Sequence, residues 1–332
     1  MRVRSHLRAV VPLGVAVSIS LSGVTACATV AGVHAVPAAA ATSAPLSPER
    51  AEQIAARVMT AAATARTAKP AQAKALRAAA MTGSALAVAT AADQLGTTTA
   101  AAPQPVTRTP QPRVLAISRG TGWPRVIVVQ TTDDTGASVL NLLTSPDAKT
   151  PFKLSASATM HAGATVPALD PLSVGSPLVG PGSGLAVDPQ DLVSEYAASL
   201  AFPKKTPAAQ IDTTDPFSTG VRANAAAQLK AFGGLASLTQ THHPQPDRTV
   251  AIGLRGGGAL VFALLERTDA ITLKPGGKSL TPSPAFQKLV HKKTLSSSAE
   301  LKSYETVVFT IPAQGQATVV AVDETLFSAK GA

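Results

Sequence analysis

The hydrophobic period of this chain changes twice, and no other feature restricts its fold as much. From Ser47 to Leu86 apolar residues recur every three or four positions, the spacing of one helical face. From Arg113 to Met160 they alternate, the spacing of a half-buried strand. The same order returns after Asp188. Helices followed by alternating strands, met twice, predict an α+β chain made of two helix-pair-plus-antiparallel-sheet units.

Local signals place the elements. Ser47-Pro48-Glu49 supplies a capping hydroxyl, a proline at the first helical position and an acid in the first turn. Ile54 and Val58 lie one turn apart, with Ala61, Ala62 and Ala65 on the same side, and a second helix is expected after Pro70 through Leu76, Ala80 and Leu86. These faces are built mostly of alanine, so they are shallow and must pack close. Strands are expected at 113–119, 124–131, 138–144 and 152–160, with Asp133-Asp134-Thr135-Gly136 as a hairpin turn.

In the second unit Asp188 and Asp215 each precede a proline and cap a helix. The first carries Leu192, Tyr196 and Leu200; the second carries Phe217, Val221, Ala225, Leu229 and Phe232 and stops at Gly233-Gly234. Strands at 235–241, 249–255, 259–268 and 270–274, a short helix at 285–290 and a hairpin of 300–311 and 317–327 follow. Residues 97–112 read as a loop and 163–184 as a Pro/Gly-rich connector. The expected organisation is a first α+β domain at 47–170, a linker at 171–187 and a second α+β domain at 188–332.

Ahead of these units, Arg2, Arg4 and Arg8 precede the apolar run from Ala9 to Ala26, the pattern of an export signal. Val24-Thr25-Ala26-Cys27 resembles a bacterial lipobox, in which Cys27 would carry the lipid through a thioether. Cys27 is the one cysteine of the sequence. Residues 1–27 are read as a lipoprotein signal peptide and 28–46 as a tether, with the chain lipid-anchored on the extracytoplasmic face of the cell membrane. A signal cut without lipidation, after Ala26 or near residues 38–41, and an uncleaved anchor are the alternatives; each leaves the remainder outside the cytoplasm.

A single cysteine excludes a disulfide scaffold and a zinc ribbon. With one long apolar stretch, the sequence does not read as a polytopic membrane protein. The net charge of +10 falls by three with the signal peptide, and Lys204-Lys205 and His291-Lys292-Lys293 are short and lack interleaved aromatics. Nucleic acid is therefore not an expected partner.

Two resemblances add to this reading. Helices lying across a curved antiparallel sheet resemble the cone folds of the nuclear-transport-factor-2-like and cystatin-like type, which host both enzymes and binders. Gly122-Trp123-Pro124-Arg125, Asp188-Pro189-Gln190-Asp191-Leu192 through Tyr196, and Leu254-Arg255 with Gly257-Gly258-Ala259-Leu260-Val261-Phe262 resemble, in order and spacing, an actinobacterial family of secreted lipoproteins of unknown function. That resemblance implies localisation and architecture and supplies no catalytic residue.

No constellation of residues demands a reaction. The run Gly253–Ala259 lacks the Gly-Lys-Ser/Thr ending of a phosphate loop and reads as a hairpin turn. Gly180-Pro181-Gly182-Ser183-Gly184 misses the spacing of a nucleophile elbow. His242 and His243 would point to opposite faces of a strand, so they cannot readily share a metal, and a surface position near a strand end is expected for them. Asp133-Asp134 is explained by a turn, and Asp212 or Asp215 by a helix cap. Scarce aromatics (3%) and charges (14%) weigh against stacking-based recognition and a charged catalytic centre.

Trp123 and Arg125 share a strand face and could line a concavity with Tyr196 or Tyr304; packing of Trp123 at a sheet edge is the competing account. The sequence thus points to a binding or interaction module at the cell envelope. Its partners would be the membrane, through the lipid, and an envelope protein, a wall polymer or a small apolar ligand. No catalytic residue, metal or cofactor is assigned. An extracytoplasmic enzyme with a cone-fold cavity and a purely structural envelope component are the alternatives.

Overall fold

The computed structural model describes residues 43–96, 112–277 and 279–332. Residues 1–42, which include Cys27, the stretch read as a signal peptide and most of that read as a tether, and residues 97–111, expected as a loop, lie outside the described residues. Helices α1 (Pro48–Thr67), α2 (Pro70–Ala80) and α3 (Gly83–Gln94) come first. Ser47 caps α1 by accepting from the Arg50 N–H.

The second helical stretch is two helices rather than one. Met81 takes an extended conformation and bridges to Leu154, which breaks the helical path. Gly83 then starts α3 at φ +55°, and a Cβ there would stand 3.0 Å from the Ser155 carbonyl oxygen. The expected helix pair of this half is therefore a trio.

Strands β1 (Arg113–Ile117), β2 (Arg125–Thr132), β3 (Ser138–Ser145) and β4 (Lys153–Met160) form an antiparallel meander. Asp133 closes the β2–β3 turn by accepting from the N–H groups of Thr135 and Ala137. After β5 (Leu178–Val179) come α4 (Pro189–Leu200), β6 (Ile211–Asp212) and α5 (Pro216–Ala231). Asp188 and Asp215 cap the two helices as their sequence positions predict. Then follow β7 (Ala236–Pro244), β8 (Val250–Gly253), β9 (Ala259–Leu273), α6 (Pro284–Val290), β10 (Ser298–Ile311) and β11 (Ala317–Gly331).

Residues 259–268 and 270–274, expected as two strands, form the one strand β9, 15 residues long and paired without a break to β10. Gly257 and Gly258, at φ +87° and +88°, make the turn that joins β8 to β9.

These strands make one curled, largely antiparallel sheet in the order β1-β2-β3-β4-β11-β10-β9-β8-β5, with β6 beside β11 and β7 beside β9. The α+β class follows directly. The halves join at β4–β11 through only two residue pairs, Met160↔Ala321 and Thr159↔Val322. Beyond them the strands part, and α3 packs against both.

Each half covers one face with its own helices. Ile54, Val58, Ala62 and Ala65 of α1 meet Ile127, Leu143 and Leu154; Leu192, Tyr196 and Leu200 of α4 meet Val261, Val307 and Phe309. The opposite face is common property: Val128, Leu142 and Ala158 of the first half cluster with Leu260, Phe262 and Val308 of the second.

The segment expected as a linker is fastened down. Arg119 donates to the Gly175 carbonyl and pairs with Asp170 at 2.9 Å; Ser118 bridges to Ser176, and β5 pairs with β8. Val166 and Leu169, just ahead of it, pack on the shared apolar cluster. Composition sees Pro/Gly-rich sequence there; the backbone groups are nonetheless satisfied by the sheet margin. Among the described residues no helix is long and apolar enough to cross a membrane.

Candidate functional site

Two places gather chemistry, and they lie on opposite faces of β10. The first is buried. In the β7–β9–β10–β11 register, His242 stands opposite Arg267, Ser303 opposite Arg267, and Glu305 opposite Glu324. His242 Nδ1 hydrogen-bonds Glu305 Oε2 at 2.8 Å, and both side chains are wholly inaccessible. Arg267 Nη1 donates to Glu305 Oε1 at 3.2 Å, and the same guanidinium pairs with Asp269 and Glu324. Gln240 Nε2 donates to Asp269 Oδ1 at 2.7 Å.

Burial alone would lower the Arg267 pKa, yet the carboxylates of Glu324, Asp269 and Glu305 outweigh it and raise it. The guanidinium is therefore a fixed cation among three acids. His242 is not at the surface, as its place near a strand end led us to expect. The alternation that turns His243 outward turns His242 into the core. The scarcity of charges likewise failed to anticipate a charged cluster, because these residues are scattered over four strands. None of them lines the groove described next. The cluster has the chemistry of a structural ion network.

The second place is a groove of about 560 Å³ where the sheet parts. Helix α3 forms one wall with Leu86, Ala87 and Ala91; Tyr304 and Phe327, with Arg248, form the other. Phe327 is there because of a bulge. Lys302 pairs with Ser328 and Ser303 with Leu326, so Phe327 is the extra residue and its ring is re-aimed. It stacks on Tyr304 with centroids 3.9 Å apart and planes inclined by 14°.

Arg248 follows Pro246 and Asp247 in a single turn of 3₁₀ helix before β8. Its guanidinium makes no hydrogen bond or ion pair with any of the described residues. Two nearby acids are engaged elsewhere, Glu266 with Lys302 at 2.9 Å and Asp93 with Arg77 at 2.9 Å; Asp247 is exposed and does not line the groove. Lys288 of α6 donates to the Leu95 carbonyl at 2.8 Å and so holds the far end of α3 against the second half.

The candidate residues from the sequence are dispersed. Of the four, only Tyr304 lines the groove. Trp123 and Arg125 stack on one another rather than lining the groove: the guanidinium carbon of Arg125 lies 4.5 Å from the indole centroid, and Trp123 remains 40% exposed.

Tyr196, expected beside them, is in the core under α4. It is edge-on to Phe309 and hydrogen-bonded through its hydroxyl to Ser218 at 2.9 Å. Burial and then the nearby Asp215 carboxylate push its pKa well up, so it stays a neutral packing group. Cys27 lies outside the described residues. Phe327, Arg248 and the α3 wall escaped sequence reasoning; a bulge and a parted seam leave no periodic trace.

Among the described residues no three His, Cys, Asp or Glu side chains are placed to hold a metal ion. No curated protein and no solved structure matches the chain. A family model described as "Domain of unknown function (DUF8094)" matches residues 46–331, spanning the helices, the sheet and the groove described above. The chain belongs to that family.

Proposed function

We propose that this protein is a lipid-anchored binding module of the cell envelope, and that the groove between α3 and the Tyr304–Phe327 pair is where it binds. The observation that carries the reading is the groove itself. It combines an apolar wall, a stacked aromatic pair and an unengaged cation on elements fixed by the sheet and by Lys288. The buried His242–Glu305–Arg267 cluster supports binding over turnover, since its imidazole and carboxylate are wholly inaccessible. Helices crossing a curled sheet fit a cone fold of the nuclear-transport-factor-2-like or cystatin-like kind. The basic, apolar and lipobox segments fit a secreted lipoprotein family of actinobacteria, with Cys27 as the attachment point and the membrane as first partner.

The anchor is tested by Cys27→Ala. We expect the variant chain to leave the membrane fraction and to lose incorporation of labelled fatty acid. Continued membrane fractionation would overturn the anchor. The groove is tested by Ala87→Trp, which fills it from the α3 wall: a groove that binds must lose its ligand on this change while the unfolding midpoint holds.

A further inference from the structure

Resting on that reading, we infer that the groove takes a planar aromatic anion: one flat apolar ring system carrying a single carboxylate, sulfonate or phosphate. Four features of the lining lead there.

The first is charge. Arg248 is the one cation among the lining residues, and no carboxylate lines the groove. Of the acids nearby, Glu266 is neutralised by Lys302 and Asp93 by both terminal nitrogens of Arg77, while Asp247, next to Arg248 in the same turn, is exposed and stands outside the lining. The Lys302 pKa is raised by the hydrogen bond its ammonium donates to Glu266, so this cation is held by its own partner. An anion entering the groove therefore meets an unengaged guanidinium and no carboxylate among the lining residues.

The second is the aromatic pair. The sequence holds only eleven Phe, Tyr and Trp residues, and two of them are stacked face to face here by a bulge. A stacked pair that remains partly accessible extends its π-surface to a third ring more readily than to a flexible chain.

The third is the opposite wall. Ala87 and Ala91 lie one turn apart on α3, with Leu86 beside them. Small side chains at that spacing leave a flat strip against which a ring can lie. The fourth is the set of neutral polar groups in the lining: Gln94 and Ser328 can donate to or accept from ring substituents, and Thr90, whose hydroxyl donates to the Leu86 carbonyl, can accept, all without adding charge. A volume of about 560 Å³ accommodates two fused rings with one substituent and leaves room for water.

The test uses two probes with the same aromatic body. The full chain is titrated with 8-anilino-1-naphthalenesulfonate and with its neutral counterpart N-phenyl-1-naphthylamine, following probe fluorescence. We expect the sulfonate to bind several-fold more tightly than the neutral amine. Arg248→Gln should weaken the sulfonate roughly fivefold, equivalent to about 1 kcal/mol for an exposed ion pair, and leave the amine unchanged. Ala87→Trp should weaken both.

Naphthalene-2-carboxylate should displace the sulfonate at lower concentration than dodecanoate. Equal affinity for the two probes, with no effect of Arg248→Gln, overturns the anionic class while leaving a binding groove. Stronger displacement by dodecanoate overturns the aromatic class. Insensitivity of both probes to Ala87→Trp overturns the groove as the binding site, and with it the reading on which this inference rests.

Discussion

Under α1, α2 and α3 the sheet of the first half meets Ala51, Ala55, Ala62 and Ala65, and its buried polar residues are small and neutral, such as Asn141 bonded to Thr131 and Ser157. In the second half the corresponding sheet carries a buried guanidinium, an imidazole and carboxylates over four strands. The same helix-on-sheet architecture is thus stabilised in two ways. A helix whose contact face is alanine approaches the sheet closely, and a long buried chain of these helices, Arg77 of α2, pairs with Asp93 of α3. The strands β9, β10 and β11 run for 14 or 15 residues, and the ion network sits where their long side chains meet across the register. Composition averaged over the chain hides this, because it counts charges without regard to whether the sheet buries them.

The comparison has a limit, which is the apolar face that both halves build together. Expressing residues 47–170 and 185–332 as separate chains probes that limit most severely. Each fragment would expose half of the shared cluster, so we expect neither to show a cooperative unfolding transition alone, and the two to recover one when refolded together. A cooperative transition in the 47–170 fragment by itself would make the halves independent domains, as their repeated order predicts.

Next in size is Arg267→Met. It leaves the wholly buried Glu305 and the neighbouring Asp269 without their cation, and about 3–5 kcal/mol of stability should go with it. Urea unfolding measures it. A loss below about 1 kcal/mol would mean the network is solvated and the two halves differ less than described.

The smallest effect belongs to the first half. The Asp93 pKa is lowered by its hydrogen bond from Arg77, and Asp93 is 41% exposed, so Asp93→Asn should cost no more than about 1 kcal/mol at neutral pH. The folded carboxyl titrates below the unfolded one, near 3.9. In that window the unfolded chain binds more protons, so the contribution is present above it and disappears as pH falls through the folded value. The urea midpoints of parent and variant should therefore converge in acid; a gap that persists at pH 2 would assign the effect to packing.

Much of the fold was legible. Ser47, Asp188 and Asp215 each cap the helix their sequence position announces, and Asp133 and Gly136 make the turn between two β-branched runs. The failures share a cause: a distant partner decides the local outcome. Met81 leaves its helix to pair with Leu154, and Asp269 sits inside a strand because Arg267 and Gln240 satisfy it. Residues 171–187 are held by Arg119 and by β8. Of the candidate site, Tyr304 alone was named in advance, since a bulge at Phe327 and a parted β4–β11 seam depend on registers between remote strands.

The position of β11 also constrains how the molecule is made. This strand comes from residues 317–331 yet lies between β4 and β10, near the middle of the sheet. Closing the sheet must bring residue 321 to residue 160, a loop whose entropy is lost before any apolar contact across it is gained. Until that happens the meander of β1–β4 has an unpaired edge at β4. Long-range closure of this kind slows folding, and the seam and the groove beside it both depend on it.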